Sequence, residues 1–202
     1  MSRFKRAAYV AIFIGAIFFA SRMWAGDVKG KVSVQGLQSA ENVAVYIDAA
    51  PGMKFDHPAQ HVSIDQRQMS FVPHVTVLLR GTTVDFLNSD KVAHNVYWPS
   101  ISGNKRLAHS MTIISPGQKK SFEFYELGTA QLLCNLHPEM VGYVVIVPTP
   151  YFALTDSDGT FEIKNVPAGK YTLKTWSDEG KPTTEAITVT DGATNVELIV
   201  KR

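Results

Sequence analysis

Thr129-Ala130-Gln131-Leu132-Leu133-Cys134-Asn135-Leu136-His137-Pro138-Glu139-Met140-Val141-Gly142-Tyr143-Val144-Val145-Ile146-Val147 reads as two β-rich stretches joined by a short loop. Side chains of a strand alternate between its faces, so Ala130, Leu132 and Cys134 share one face and the cysteine arrives from the core side. Its sulfur therefore stands buried at the end of a strand. The loop that follows carries an imidazole and a thioether in the spacing Cys-x-x-His-x-x-Met. Two intervening residues on each side let a single tight turn offer three donor atoms from one direction.

Outward from that loop the chain keeps the same character. Short β-rich stretches are expected at residues 75–79, 83–87, 95–98 and 121–125, separated by turn-forming residues such as Asn88-Ser89-Asp90 and Ser115-Pro116-Gly117. This is the pattern of a β-sandwich or barrel, and the fold class is all-β. The stretch Thr83 to Leu87 runs into a polar turn that delivers His94 at its far end. Cysteine thiolate, two imidazoles and a weak axial thioether are the donors that mononuclear blue copper selects. His94, Cys134, His137 and Met140 are accordingly the expected metal ligands, holding one type 1 copper per chain.

These residues resemble the cupredoxins, and the short ligand loop is most similar to the amicyanin type. The resemblance implies a Greek-key β-sandwich over about residues 55–149. It also implies that Asn95 ties the two ligand loops together and that His137 reaches the surface through an apolar patch as the electron port. Trp98, Pro99 and Leu136 are the expected members of that patch. One departure is visible, because small cupredoxins often carry aromatic residues where this chain has Ala130 and Leu132.

Export is the expectation at the N-terminus. Arg3, Lys5 and Arg6 precede an apolar run from Ala7 to Ala20, which is short for a bilayer span and suits a signal segment. Ala25 suits the residue before a cut, whereas Met23 is large for its place, so residues 1–25 read as a signal peptide or an uncleaved anchor. The rest then faces the periplasm or another extracytoplasmic space, with membrane contact only through that segment. The formal charge of +2 includes four basic residues before residue 27 and no acid; without them 16 basic stand against 18 acidic residues, a formal −2. No basic stripe or recognition motif suggests a nucleic-acid partner. A lone cysteine in an oxidising compartment forms no internal disulfide, and metal coordination would protect it.

Other donor residues read as structural. His57 and His61 flank Pro58 without a cysteine or carboxylate cluster to complete a second metal site. His74 and His109 are read in the same way. Asp156-Ser157-Asp158-Gly159 lacks the further oxygen ligands of an EF-hand and reads as a β-turn. Beyond it, Phe161 and Ile163 alternate, Val166-Pro167-Ala168-Gly169 turns, and Tyr171 and Leu173 alternate again, which predicts a hairpin. This segment resembles the carboxypeptidase regulatory-like, transthyretin-like β-sandwich family, as do the stretches Val28 to Val34 and Asn42 to Ile47. The expected layout is a discontinuous sandwich of residues 27–54 plus 150–202 with the cupredoxin inserted. A plain tandem, with Val28 to Ile47 added to the cupredoxin, is the competing arrangement.

Four protein ligands leave no coordination position for a substrate, which suits outer-sphere electron transfer and not metal-assisted hydrolysis. No defensible Ser/His/Asp arrangement and no phosphate-cradling loop is present, so the chain reads as a non-enzyme. Its expected partner is a redox protein such as a cytochrome or an oxidase. Periplasmic copper storage or delivery is the alternative.

Overall fold

A computed structural model describes residues 25–202; the leader expected over residues 1–25 lies outside the described residues except for Ala25. The strands are β1 (Ala25–Val34), β2 (Ala44–Ile47), β3 (Val62–Arg67), β4 (Ser70–Val72), β5 (Val75–Leu79), β6 (Thr82–Asn88), β7 (Tyr97–Trp98) and β8 (His109–Ser110). They continue as β9 (Lys119–Phe124), β10 (Gly128–Leu133), β11 (Val141–Val147), β12 (Phe152–Leu154), β13 (Thr160–Pro167), β14 (Gly169–Trp176), β15 (Thr184–Val189) and β16 (Ala193–Val200). One 3-10 turn, Lys105–Leu107, is the only helical element among the described residues.

Four sheets make two sandwiches. In the first, the order β4-β3-β6-β9 packs on the order β5-β11-β10-β7-β8. Ile64, Phe71, Val84, Phe86 and Phe124 from one sheet meet Leu78, Ala130, Leu132, Val144 and Ile146 from the other in a continuous core. Ala130 and Leu132 are fully buried there, so aliphatic side chains fill the space below Cys134. In the second sandwich, β13-β1-β16 packs on β12-β2-β14-β15 around Val28, Val32, Ile47, Phe161, Ile163, Tyr171, Leu173 and Leu198. Strand β1 lies between β13, antiparallel, and β16, parallel over eight registered pairs from Asp27↔Ala193 to Val34↔Val200. Likewise β2 pairs with β12 and β14.

The hairpin expected over Phe161 to Leu173 does not form. Strand β13 pairs with β1 in one sheet and β14 with β2 and β15 in the other, so the chain changes sheet at Val166-Pro167-Ala168-Gly169. Both strands turn their alternating apolar residues to one core, which a hairpin and a sheet crossing satisfy equally well. Alternation alone therefore could not separate them. At the preceding turn, Asp156 accepts from the Asp158 and Thr160 backbone N–H groups and from the Thr160 hydroxyl, while Gly159 takes the positive φ of 78°. That turn is closed by the Asp156 carboxylate and by the Gly159 N–H to the Asp156 carbonyl at 2.9 Å, as a β-turn.

A third apolar cluster joins the sandwiches. Val75, Val77, Val145 and Val147 of β5 and β11 pack on Ala44, Tyr46, Phe152, Leu154 and Trp176 of the second sandwich. Every residue of β5 is consequently buried, on both faces. His74 adds a hydrogen bond to Asp178 at 3.2 Å across the same junction. Of the other histidines, His57 lies edge-on to Tyr125, and His109 stacks on Trp98.

Asp85 on β6 gathers the Lys119 ammonium at 2.6 Å, the Ser121 hydroxyl at 2.5 Å and the His61 ring at 3.0 Å. The Lys119 bond foremost, then those of Ser121 and His61, outweigh burial and hold the carboxyl far below the usual carboxylate range. Its contribution is fully present above the unfolded value near about 4 and is lost as pH falls towards the depressed folded value. Asp85→Asn should lower stability by about 1–2 kcal/mol at pH 7, allowing for solvent screening at the exposed partners. The urea midpoints of parent and variant should begin to converge below about pH 4 and meet only as pH approaches the depressed folded value.

Candidate metal centre

Strand β6 ends at Asn88, whose buried side chain organises the turn towards His94. Its amide donates to the carbonyls of Val92 and Ile114 at 2.9 and 2.8 Å, and its oxygen accepts from the Asp90 N–H at 3.0 Å. His94 then exchanges two backbone hydrogen bonds with Ile114, at 3.2 and 2.7 Å. Its backbone is pinned on both sides and its ring has no solvent exposure.

From the other direction, β10 delivers Cys134 with 2% exposure, on the inward face shared with Ala130 and Leu132. The following loop turns tightly, with the Met140 N–H donating to the His137 carbonyl at 3.0 Å. Met140 is buried in the same apolar cluster as Cys134. Asn95 Oδ1 accepts from the Asn135 N–H at 2.9 Å and lies 3.6 Å from the Cys134 sulfur. One side chain thus ties the two loops together.

The three donor atoms converge. His94 Nδ1 and His137 Nδ1 face each other at 2.9 Å, and each lies 3.9 Å from Cys134 Sγ. The point equidistant from all three is about 2.1 Å from each, close to the bond lengths of about 2.0–2.3 Å that imidazole and thiolate make to a first-row metal ion. Two ring nitrogens and a sulfur aimed at one buried point fit a trigonal His, His, Cys set, for which Met140 is the residue available as a weak axial donor. Among the described residues this is the one group of three close His, Cys, Asp or Glu donors.

His94 has a further partner that the sequence reading missed. Its Nε2 donates to Asp90 Oδ2 at 2.9 Å, leaving Nδ1 as the free electron pair. Burial pushes the Asp90 carboxyl up, but the N–H donors of Met69, His94 and Gln68 outweigh it and leave the group below its ordinary value. The Asp-x-x-x-His spacing was visible, but it implies proximity only in a helix, and this segment is a turn.

The expected surface patch is corrected at one position. Trp98 is 1% exposed and donates its indole N–H to the Leu107 carbonyl at 3.1 Å, because its strand turns it into the core. Leu136, exposed at 48%, remains, and Val92 and Ile113 are similarly exposed. Each lies within two residues of His94, of its backbone partner Ile114, or of His137.

Residues 58–147 match the family described as copper binding proteins, plastocyanin/azurin family. This part of the chain is cupredoxin-like. The match begins before β3, ends at the last residue of β11, and includes His94, Cys134, His137 and Met140. Among solved structures, amicyanin from Paracoccus versutus is 27% identical over 45% of this chain and 85% of its own, with a TM-score of 0.40. An oxidized proline-to-alanine mutant of amicyanin is 28% identical over 43% of this chain and 81% of its own, with a TM-score of 0.39. Residues 149–196, comprising β12 to β15 and the start of β16, match polysaccharide lyase family 4, domain II. That is a different family from the carboxypeptidase regulatory-like one expected there.

Asn95→Ala removes the tie between the loops and leaves the Asn135 N–H without its partner. The variant should lose about 1 kcal/mol, read as a lower urea midpoint with an unchanged slope.

Proposed function

We propose that this chain is an exported mononuclear type 1 copper protein that carries electrons by outer-sphere transfer. The observation that carries this reading is the triangle of His94 Nδ1, His137 Nδ1 and Cys134 Sγ, sized for one ion, with Cys134 set in the apolar core. Copper held there supplies a one-electron couple. The protein supplies the rest: Cys134 as thiolate, His94 and His137 as neutral imidazoles, and Met140 as the axial thioether. Strand ends and paired backbone fix the donors, so little need move when charge changes. His94 and Cys134 are buried, and an outer-sphere redox centre needs no place for substrate beside the metal.

His137 is only partly buried and is the route for the electron. Exposed Leu136 beside it in the chain, with exposed Val92 and Ile113 next to His94 and its partner Ile114, offers apolar surface that would shed water readily against a partner such as a cytochrome or an oxidase. The deep burial of Cys134 and His94 favours retention over the rapid exchange that storage or delivery needs. In this reading residues 55–149 form the copper domain, inserted in a second sandwich of residues 27–54 and 150–202. Residues 1–25 direct or anchor the chain to the extracytoplasmic side. The lyase-like match is taken as scaffold, since a fold supplies no activity without a site.

Titration of the purified soluble part with Cu(II) should give an intense visible thiolate-to-copper band at one equivalent, a reversible potential, and slow loss of copper to a chelator. Cys134→Ser and His94→Ala should each abolish the band. Absence of a band in the parent, or loss of copper to the chelator within mixing time, would overturn the electron-carrier reading.

A further inference from the structure

We propose that Asp90 is the positioning residue of the metal centre, coupling the turn between β3 and β4 to the orientation and tautomer of His94. The proposal rests on the copper reading above and adds a residue and a segment to it. One carboxylate, with only 14% of its side chain exposed, collects three donors: the Gln68 N–H at 2.6 Å, the Met69 N–H at 3.0 Å and His94 Nε2–H at 2.9 Å. Gln68 and Met69 are the two central residues of the turn that joins Arg67 to Ser70. Both are left-handed, with φ of 54° and 59°, where Asn-Gly would be the comfortable choice.

The turn presents both of its central N–H groups to one side, where a single carboxylate accepts them. Asp90 is that acceptor, and its second oxygen is shared with His94. The imidazole is thereby held as the Nε2–H tautomer with the Nδ1 electron pair aimed at the donor triangle. A negative charge on the far side of the ring also makes Nδ1 a stronger donor, which favours the oxidised metal and lowers the potential. A hairpin far in sequence from both ligand loops becomes part of the centre.

The first test needs no metal. In the metal-free protein, 15N NMR of the histidine rings should show His94 as a single Nε2–H tautomer, and Asp90→Ala should convert it to a mixture. With copper, Asp90→Ala should weaken Cu(II) binding about 10–100-fold and raise the potential. If Asp90→Ala does not fold, Asp90→Asn, which preserves the side-chain size, serves in its place and should raise the potential with the visible band retained. A folded Asp90 variant with unaltered His94 tautomer, copper affinity and potential overturns the proposal. A parent that binds no copper overturns the copper reading, and the His94 tautomer in the metal-free protein still decides the role of Asp90.

Discussion

A sulfur and two ring nitrogens buried together are costly unless each atom has a use, and the surrounding strands are arranged around that constraint. His94 has both backbone groups bonded to Ile114, one ring nitrogen bonded to Asp90 and the other facing His137. Cys134 sits at the end of a strand whose inward neighbours are wholly apolar. The amide oxygen of Asn95 links the two loops, so neither ligand set can drift without breaking bonds on the other side. Rigidity here comes from backbone pairing and a few buried polar side chains, not from the donor residues themselves.

Much of this was legible because donor chemistry and strand alternation agree. Cys134 falls in register with Ala130 and Leu132, and that register alone placed the sulfur inside. His94 could be picked out by the turn before it. Asp90 could not, since its approach to His94 depends on how Asn88 folds the intervening residues and on a hairpin some twenty residues upstream. Trp98 was misplaced for a related reason. A two-residue strand carries no alternation to read, and only the pairing of β7 between β10 and β8 turns the indole inward.

The second sandwich shows the same boundary between local and global information. Apolar alternation located its strands but could not say which sheet each would join, hence the hairpin that proved to be a crossing. Strand β5 was recognisable by its β-branched and apolar residues, yet its burial on both faces depends on the third cluster, whose members come from both sandwiches. Val75 and Val77 face Ala44 and its neighbours while Leu78 faces the copper-side core. The junction is therefore a packed layer between the outer faces of two sheets, one from each sandwich.

Strand β1 is flanked by β13 and β16, and its eight parallel pairs with β16 close only when the end of the described chain is available. During synthesis the segment around Val28 must wait for partners more than a hundred residues away, while the cupredoxin-like sandwich has all its strands in one continuous stretch. Assembly thus has a built-in order: the cupredoxin-like sandwich can mature early, and the other keeps an open strand edge until β16 has been made. Such long-range closure is slow and leaves an unpaired strand exposed to neighbouring chains meanwhile, which makes β16 a determinant of yield as much as of architecture.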